Sequence, residues 1–275
     1  MPLPLILCMA IAQGGAPARL MPPPPPADIA TLVTADPAKD PGLAARMLSE
    51  NGIPADARRK AAEAVAASAK SSVPVAVLDA IASCAGTCGA TRDLSDLLAG
   101  MPDAVAADPA ALERVAKAAR TPEDPAHVPA RRVLAAMPAE RRPEGLKDAS
   151  VRTVALKAVP GAMQYDVKEV KAKPGELIEF TLENTDTMQH NLLVVLPGKM
   201  SEVGVAADKM GETAAGKACH FVPDLPSVIA VMGLVDPGKG GRLFFAVPQK
   251  PGTYAYVCTY PGHWRMMNGK LRVAP

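Results

Sequence analysis

Near Ser150 the apolar residues of this sequence change their period. From about Asp28 to Glu144, Ala, Leu, Arg, Glu and Lys dominate and aromatic residues are missing, which is the composition of helices. Beyond Ser150, Val, Ile, Phe and Tyr alternate with polar residues in short runs, the period-2 pattern of half-buried strands. One domain does not satisfy both periods. The 275 residues therefore read as an α-helical region, residues 28–148, followed by an all-β domain, residues 151–275, each of ordinary domain size.

In the first half, breakers cut the chain into short helices. Pro54 opens one over Ala55 to Lys70, where Ala62, Val65, Ala66 and Ala69 form a small-residue stripe, and Pro74 opens the next. Further helices are expected over Pro41 to Ser49, Thr91 to Leu98, Pro109 to Ala119 and Pro129 to Met137. Short helices recurring in this way fit either HEAT-like repeats or a plain bundle. His127, the one histidine here, lies in a Pro-rich turn and reads as a solvated side chain.

In the second half the expected strands are Arg152 to Ala158, Gln164 to Val170, Glu176 to Asn184, Asn191 to Leu196, Ser227 to Leu234, Arg242 to Val247, Gly252 to Cys258 and Lys270 to Val273. So many short strands in one domain imply a β-sandwich. Lys173-Pro-Gly, Asp236-Pro-Gly and Lys250-Pro-Gly read as type II turns, which take Pro and then Gly at their centre. The stretch from Pro197 to Pro226 is too long for a hairpin loop. With a helical segment near Val205 to Gly216, it is expected to lie as a flap against the sandwich.

A net charge of +2 gives no basic face for nucleic acid. No window reaches the roughly 18 apolar residues of a membrane span. Residues 3 to 12 are apolar and lead to Ala16-Pro-Ala18, so residues 1–18 read as a secretory signal, followed by a Pro-rich linker over 19–27. Export to the periplasm or beyond, with membrane association left open, is the expected location. Cys84 and Cys88 then read as a structural disulfide or two buried thiols.

The segment Cys258-Thr-Tyr-Pro-Gly-His263-Trp-Arg-Met266-Met267-Asn-Gly puts a thiolate at a strand end, an imidazole five residues later and thioethers just beyond. Thiolate and thioether favour Cu(I) while imidazole accepts both copper oxidation states, so this mixed set suits a cycling copper ion. His190, in Thr187-Met-Gln-His-Asn191 before an apolar strand, is the placed candidate for a second imidazole. Cys219-His220 has no spaced partner and reads as structural or as a weak extra metal contact.

Together, the ligand loop and the His190-Asn191 pair resemble the azurin and auracyanin branch of the cupredoxins, over roughly Val151 to Pro275. The resemblance implies a Greek-key β-sandwich holding one type 1 blue copper ion, with His190, Cys258 and His263 equatorial and Met267 axial. Met266 remains the rival axial ligand, and the carbonyl of Gln189 falls where the family places a weak fifth contact. Asn191 would brace the ligand loop. The implied role is electron transfer without catalysis, to a transient redox partner docking near His263 and Trp264, where Pro261 and Met266 add apolar surface. Two alternatives compete: a multicopper oxidase or copper nitrite reductase, which the four histidines of the chain make poor, and a helical scaffold carrying a non-redox copper domain.

Overall fold

The computed structural model describes residues 31–50, 53–83, 89–211 and 213–275. The signal segment, the proline run and Cys84 and Cys88 lie outside the described residues. The chain separates into two compact units at Val151/Arg152. Among the described residues, no single helix is long and apolar enough to cross a bilayer.

The first unit is helical: α1 Pro41–Ser49, α2 Ala55–Ala69, α3 Val73–Ser83, α4 Gly89–Ala99, α5 Pro102–Ala107, α6 Pro109–Arg120 and α7 His127–Ala136. The Pro and Asp signals work as expected at several starts. Asp40 caps α1 through the amides of Gly42 and Leu43, and Asp108 caps α6 through Ala110 and Ala111, each with Pro at the first helical position. The core is built from small and branched residues, with Ala57, Ala61 and Ala62 of α2 in one cluster with Val77 and Ile81 of α3. α5 escaped the sequence reading because six residues are too few to show a period.

One polar residue departs from expectation, and a second was not singled out in the sequence. His127 is buried, with Nδ1 3.1 Å from the Ala118 carbonyl, because its turn begins α7 against α6. Arg58 is fully buried on α2, donating to the carbonyls of Met47, Leu48, Glu50 and Ile53. Those carbonyls have no intrahelical partner at the end of α1 and in the turn that follows, so the guanidinium serves as a C-terminal cap.

Among the described residues the second unit is a two-sheet sandwich of nine strands: β1 Val151–Val159, β2 Gln164–Tyr165, β3 Glu169–Ala172, β4 Leu177–Asn184, β5 His190–Val195, β6 Val228–Val235, β7 Gly240–Ala246, β8 Gly252–Val257 and β9 Asn268–Val273. One sheet has the order β2-β1-β4-β7 and the other β3-β9-β8-β5-β6. The single strand expected over Gln164 to Val170 is two, because the chain leaves one sheet after Tyr165 and joins the other, where β3 runs parallel to β9. Gly175 and Gly238 take the positive φ of 72° and 70° that the type II reading requires, whereas Gly252 simply begins β8.

The flap carries two helices, α8 Met200–Met210 and α9 Ala214–Ala218, in place of the single helical segment expected. It explains why every residue of β5 is buried. Leu192 and Val194 face the inter-sheet core, while Leu193 and Val195 on the opposite face meet Val203 of α8. A strand covered on both faces is a rigid place to hang a functional side chain.

Candidate metal centre

Three side chains, from the start of β5, the end of β8 and the loop that follows it, converge at one end of this sheet. His190 is the first residue of β5 and Cys258 follows directly on β8, which pairs with β5 through Leu193 and Val257. His263 opens a short 3-10 turn, His263–Arg265, in the loop between β8 and β9. The register of β5 slips between His190 and Leu192, and this bulge turns two successive residues, His190 and Asn191, into the interior.

The loop is closed on itself. The Cys258 amide donates to the Met267 carbonyl at 2.9 Å, the Met267 amide to the His263 carbonyl at 2.8 Å, and the His263 amide to the Tyr260 carbonyl at 3.0 Å. Gly262 has φ of 83°, a conformation that L side chains avoid, so the turn before His263 calls for glycine. Met267 is buried in the core beside Cys258, while Met266 next to it is 51% exposed.

Asn191 anchors the loop to its neighbours. Its Oδ1 accepts from the Thr259 amide at 2.7 Å, and its Nδ2 donates to Thr259 Oγ1 and to the His220 carbonyl, both at 2.8 Å. Its own carbonyl accepts from the Tyr165 hydroxyl at 2.5 Å. The flap reaches Asn191 by an uncommon backbone. His220 and Phe221 both have left-handed φ, 53° and 55°, which costs a non-glycine residue about 1–2 kcal/mol each. That turn delivers the His220 carbonyl to Asn191 and packs the Phe221 ring edge-on against Tyr260. His220 Nδ1 accepts from the Leu234 amide at 2.8 Å, so this imidazole serves the backbone.

The potential ligand atoms face one another. Cys258 Sγ lies 3.8 Å from His190 Nδ1 and 3.7 Å from His263 Nδ1, and the two nitrogens are 3.2 Å apart. A point equidistant from all three sits about 2.1 Å from each, the length of a metal–imidazole bond and close to that of a metal–thiolate bond. On the far side of the His190 ring, Nε2 is 3.1 Å from Asp186 Oδ2. An ionised carboxylate only accepts, so Nε2 carries the proton and Nδ1 presents a lone pair inward. Burial pushes the His190 imidazole below its usual pKa, against the opposing pull of Asp186. It also pushes the Cys258 thiol up to about 12, against hydrogen bonds at its sulfur from Asn191 and Tyr260. Such a thiol, with two imidazole nitrogens turned towards it, is a donor set that a soft or borderline cation satisfies. The residues present fit a copper ion.

Comparison with known proteins agrees with this donor set. Copper binding proteins of the plastocyanin/azurin family, taken as a family model, match residues 152–274. Azurin-2 of Alcaligenes xylosoxydans xylosoxydans is 35% identical over 121 residues, which cover 41% of this chain and 90% of azurin-2. The chain belongs to the plastocyanin/azurin family. Auracyanin-B of Chloroflexus aurantiacus is 29% identical over 133 residues, 47% of this chain, and the match spans only about half of that relative, 55%. The solved structure of dithionite-reduced auracyanin from Roseiflexus castenholzii is 31% identical, covering 45% of this chain and 97% of its own, with a TM-score of 0.40. The helical unit lies outside the stretch matched to the plastocyanin/azurin family.

The sequence reading anticipated His190, Cys258, His263 and Asn191, and the structure brings all four together. Trp264 is placed differently from the expectation of a surface patch. It is only 9% exposed, because the indole turns back onto α8 rather than outward. Its ring lies so close to Gly204 that a Cβ there would sit 2.2 Å from Trp264 Cδ2. His263 itself is 3% exposed. The side chain of Gln189 donates to Asp236 Oδ1 at 2.6 Å. Sequence reasoning missed Asp186 and Asp208, the latter accepting from Gly262, Trp264 and Arg265. Asp186 stands four residues before His190, the one signal that pointed to it.

Proposed function

We propose that this protein carries single electrons on one type 1 copper ion, held equatorially by His190, Cys258 and His263 and axially by Met267. The convergence of Cys258 Sγ and two Nδ1 atoms within 3.8 Å of one another supports this reading most directly. When bound, copper supplies one-electron chemistry between its two oxidation states. The protein residues supply rigidity. Three backbone hydrogen bonds within the loop and the bridge from Asn191 hold the donor atoms, so little has to move when charge changes. Burial of Cys258 and Met267 keeps water from a coordination position, which favours transfer over catalysis.

Met267 is preferred to Met266 because its backbone is bonded to that of Cys258 and its side chain is in the core. The partner is a redox protein that docks transiently on the face bordered by Met266 and the edge of His263; the indole of Trp264 supports the loop from beneath. The N-terminal apolar segment supports export. An oxidase is disfavoured by composition, since two of the four histidines in the chain are already committed here.

The test is the visible spectrum of the copper-loaded protein before and after ascorbate. An intense blue band that ascorbate bleaches and Cys258→Ser removes is expected. A colourless loaded protein, or a band unchanged by Cys258→Ser, overturns the reading.

A further inference from the structure

We propose that Asp186 is a positioning residue of the copper site, whose buried carboxylate fixes the His190 tautomer and lowers the reduction potential by stabilising the more highly charged metal state. The inference rests on the copper reading above. Asp186 is buried, and its two oxygens do separate work. Oδ1 accepts from the Thr187 amide at 2.7 Å and the Gly161 amide at 3.2 Å, which is turn building of the kind Asp performs in many loops. Oδ2 is directed at His190 Nε2, and turn building gives no reason for that.

The loop is arranged to bring this about. Asn184, fully buried at the end of β4, donates from Nδ2 to the carbonyls of Met188 and Val235 and accepts from the Asp186 amide on Oδ1. The bonds with Met188 and Asp186 fold residues 184–188 into a compact turn, the bond to Val235 ties that turn to β6, and the Asp186 carboxylate is left beside the His190 ring. The amides of Thr187 and Gly161 at Oδ1 and the ring nitrogen of His190 at Oδ2 surround the carboxylate with hydrogen-bond partners. A carboxylate behind a ligand histidine orients the ring and raises the basicity of the coordinating nitrogen. In a site this dry its charge is poorly screened, and it favours Cu(II) over Cu(I).

Removing such a partner changes metal affinity by about 10–100-fold. Asp186→Asn keeps the size and an acceptor oxygen but deletes the charge. The variant should stay blue while Cu(II) binding weakens about tenfold relative to Cu(I), raising the potential by about 59 mV. Asp186→Glu should restore part of the shift. A blue Asp186→Asn protein with the wild-type potential overturns the proposal and leaves the copper reading standing. A wild-type protein that never turns blue defeats the copper reading instead. Nitrogen NMR of metal-free wild-type protein supplies a measurement that needs neither variant nor copper. His190 should carry its proton on Nε2, with slowed solvent exchange. A proton found on Nδ1 overturns the proposal.

Discussion

The carboxylate of Asp208, near the end of α8, accepts a hydrogen bond from the Trp264 indole nitrogen at 2.9 Å. The same side chain accepts from the Gly262 amide at 2.8 Å and from Arg265 at 3.0 Å, so one acid of the flap holds both sides of His263. The helix inserted between β5 and β6 is thereby part of the scaffold of the metal loop.

Replacing Asp208 by Ala should therefore lower the stability of the metal-free protein by about 1–3 kcal/mol, the cost of leaving donors without their partner. Desolvation raises the pKa of Asp208, but the bonds from Trp264, Gly262 and Arg265 outweigh it and hold the carboxyl below the usual range. Its stabilisation is complete above the unfolded value of about 4 and is lost as pH falls through the lower folded value. Denaturant titrations from pH 6 to 2 should show a steeper acid loss for wild type than for Asp208→Asn. Parallel curves would contradict this.

Gly204→Ala should collide with the Trp264 ring and cost about 1–3 kcal/mol, as overpacking does. In Trp264→Ala the space is free, so the same change at Gly204 should be almost neutral. A double-mutant cycle on melting free energies reads the coupling directly, and additive effects would show that the contact carries no energy.

Asn191→Ala removes the acceptor of the Thr259 amide and the donors to Thr259 Oγ1 and the His220 carbonyl, all in a buried setting. A loss of about 3 kcal/mol is expected, given the cost of buried polar groups left unpaired. The copper-loaded variant should also show a shifted visible band, because the loop beginning at Cys258 is no longer pinned. An unchanged melt and spectrum together would mean that the bridge is dispensable.

Met267→Leu and Met266→Leu separate the two methionines. Loss of a donor in an apolar site disfavours the more charged metal state, so Met267→Leu should raise the potential, whereas Met266→Leu should leave potential and spectrum unaltered. Voltammetry of both variants decides, and the reverse pattern would transfer the axial role to Met266.

Much of this was legible in the residues. The change of period at Ser150 falls within two residues of the division between the compact units. The loop from Cys258 to Met267 was legible because its candidate donors are close in sequence and chemically unlike, and His190 because it precedes an apolar strand. His127 was misjudged as solvated, and Arg58 went unnoticed, for a shared reason: a polar side chain that bonds carbonyls in the interior leaves no periodic trace. Trp264 misled because an indole in a loop reads equally well as surface or as packing, and its destination depended on Gly204, sixty residues away. Asp186 and Asp208 were invisible in their roles, since both act through contacts made by the folded loop.

The fit between Gly204 and Trp264 also bears on how such a sequence could arise. Glycine at 204 tolerates any neighbour at 264, but tryptophan at 264 tolerates little except glycine at 204. The route in which the glycine arrives first is the one that avoids the clash. A larger residue at 204 then costs stability for as long as the tryptophan stays, so across relatives with this flap the two positions should vary together.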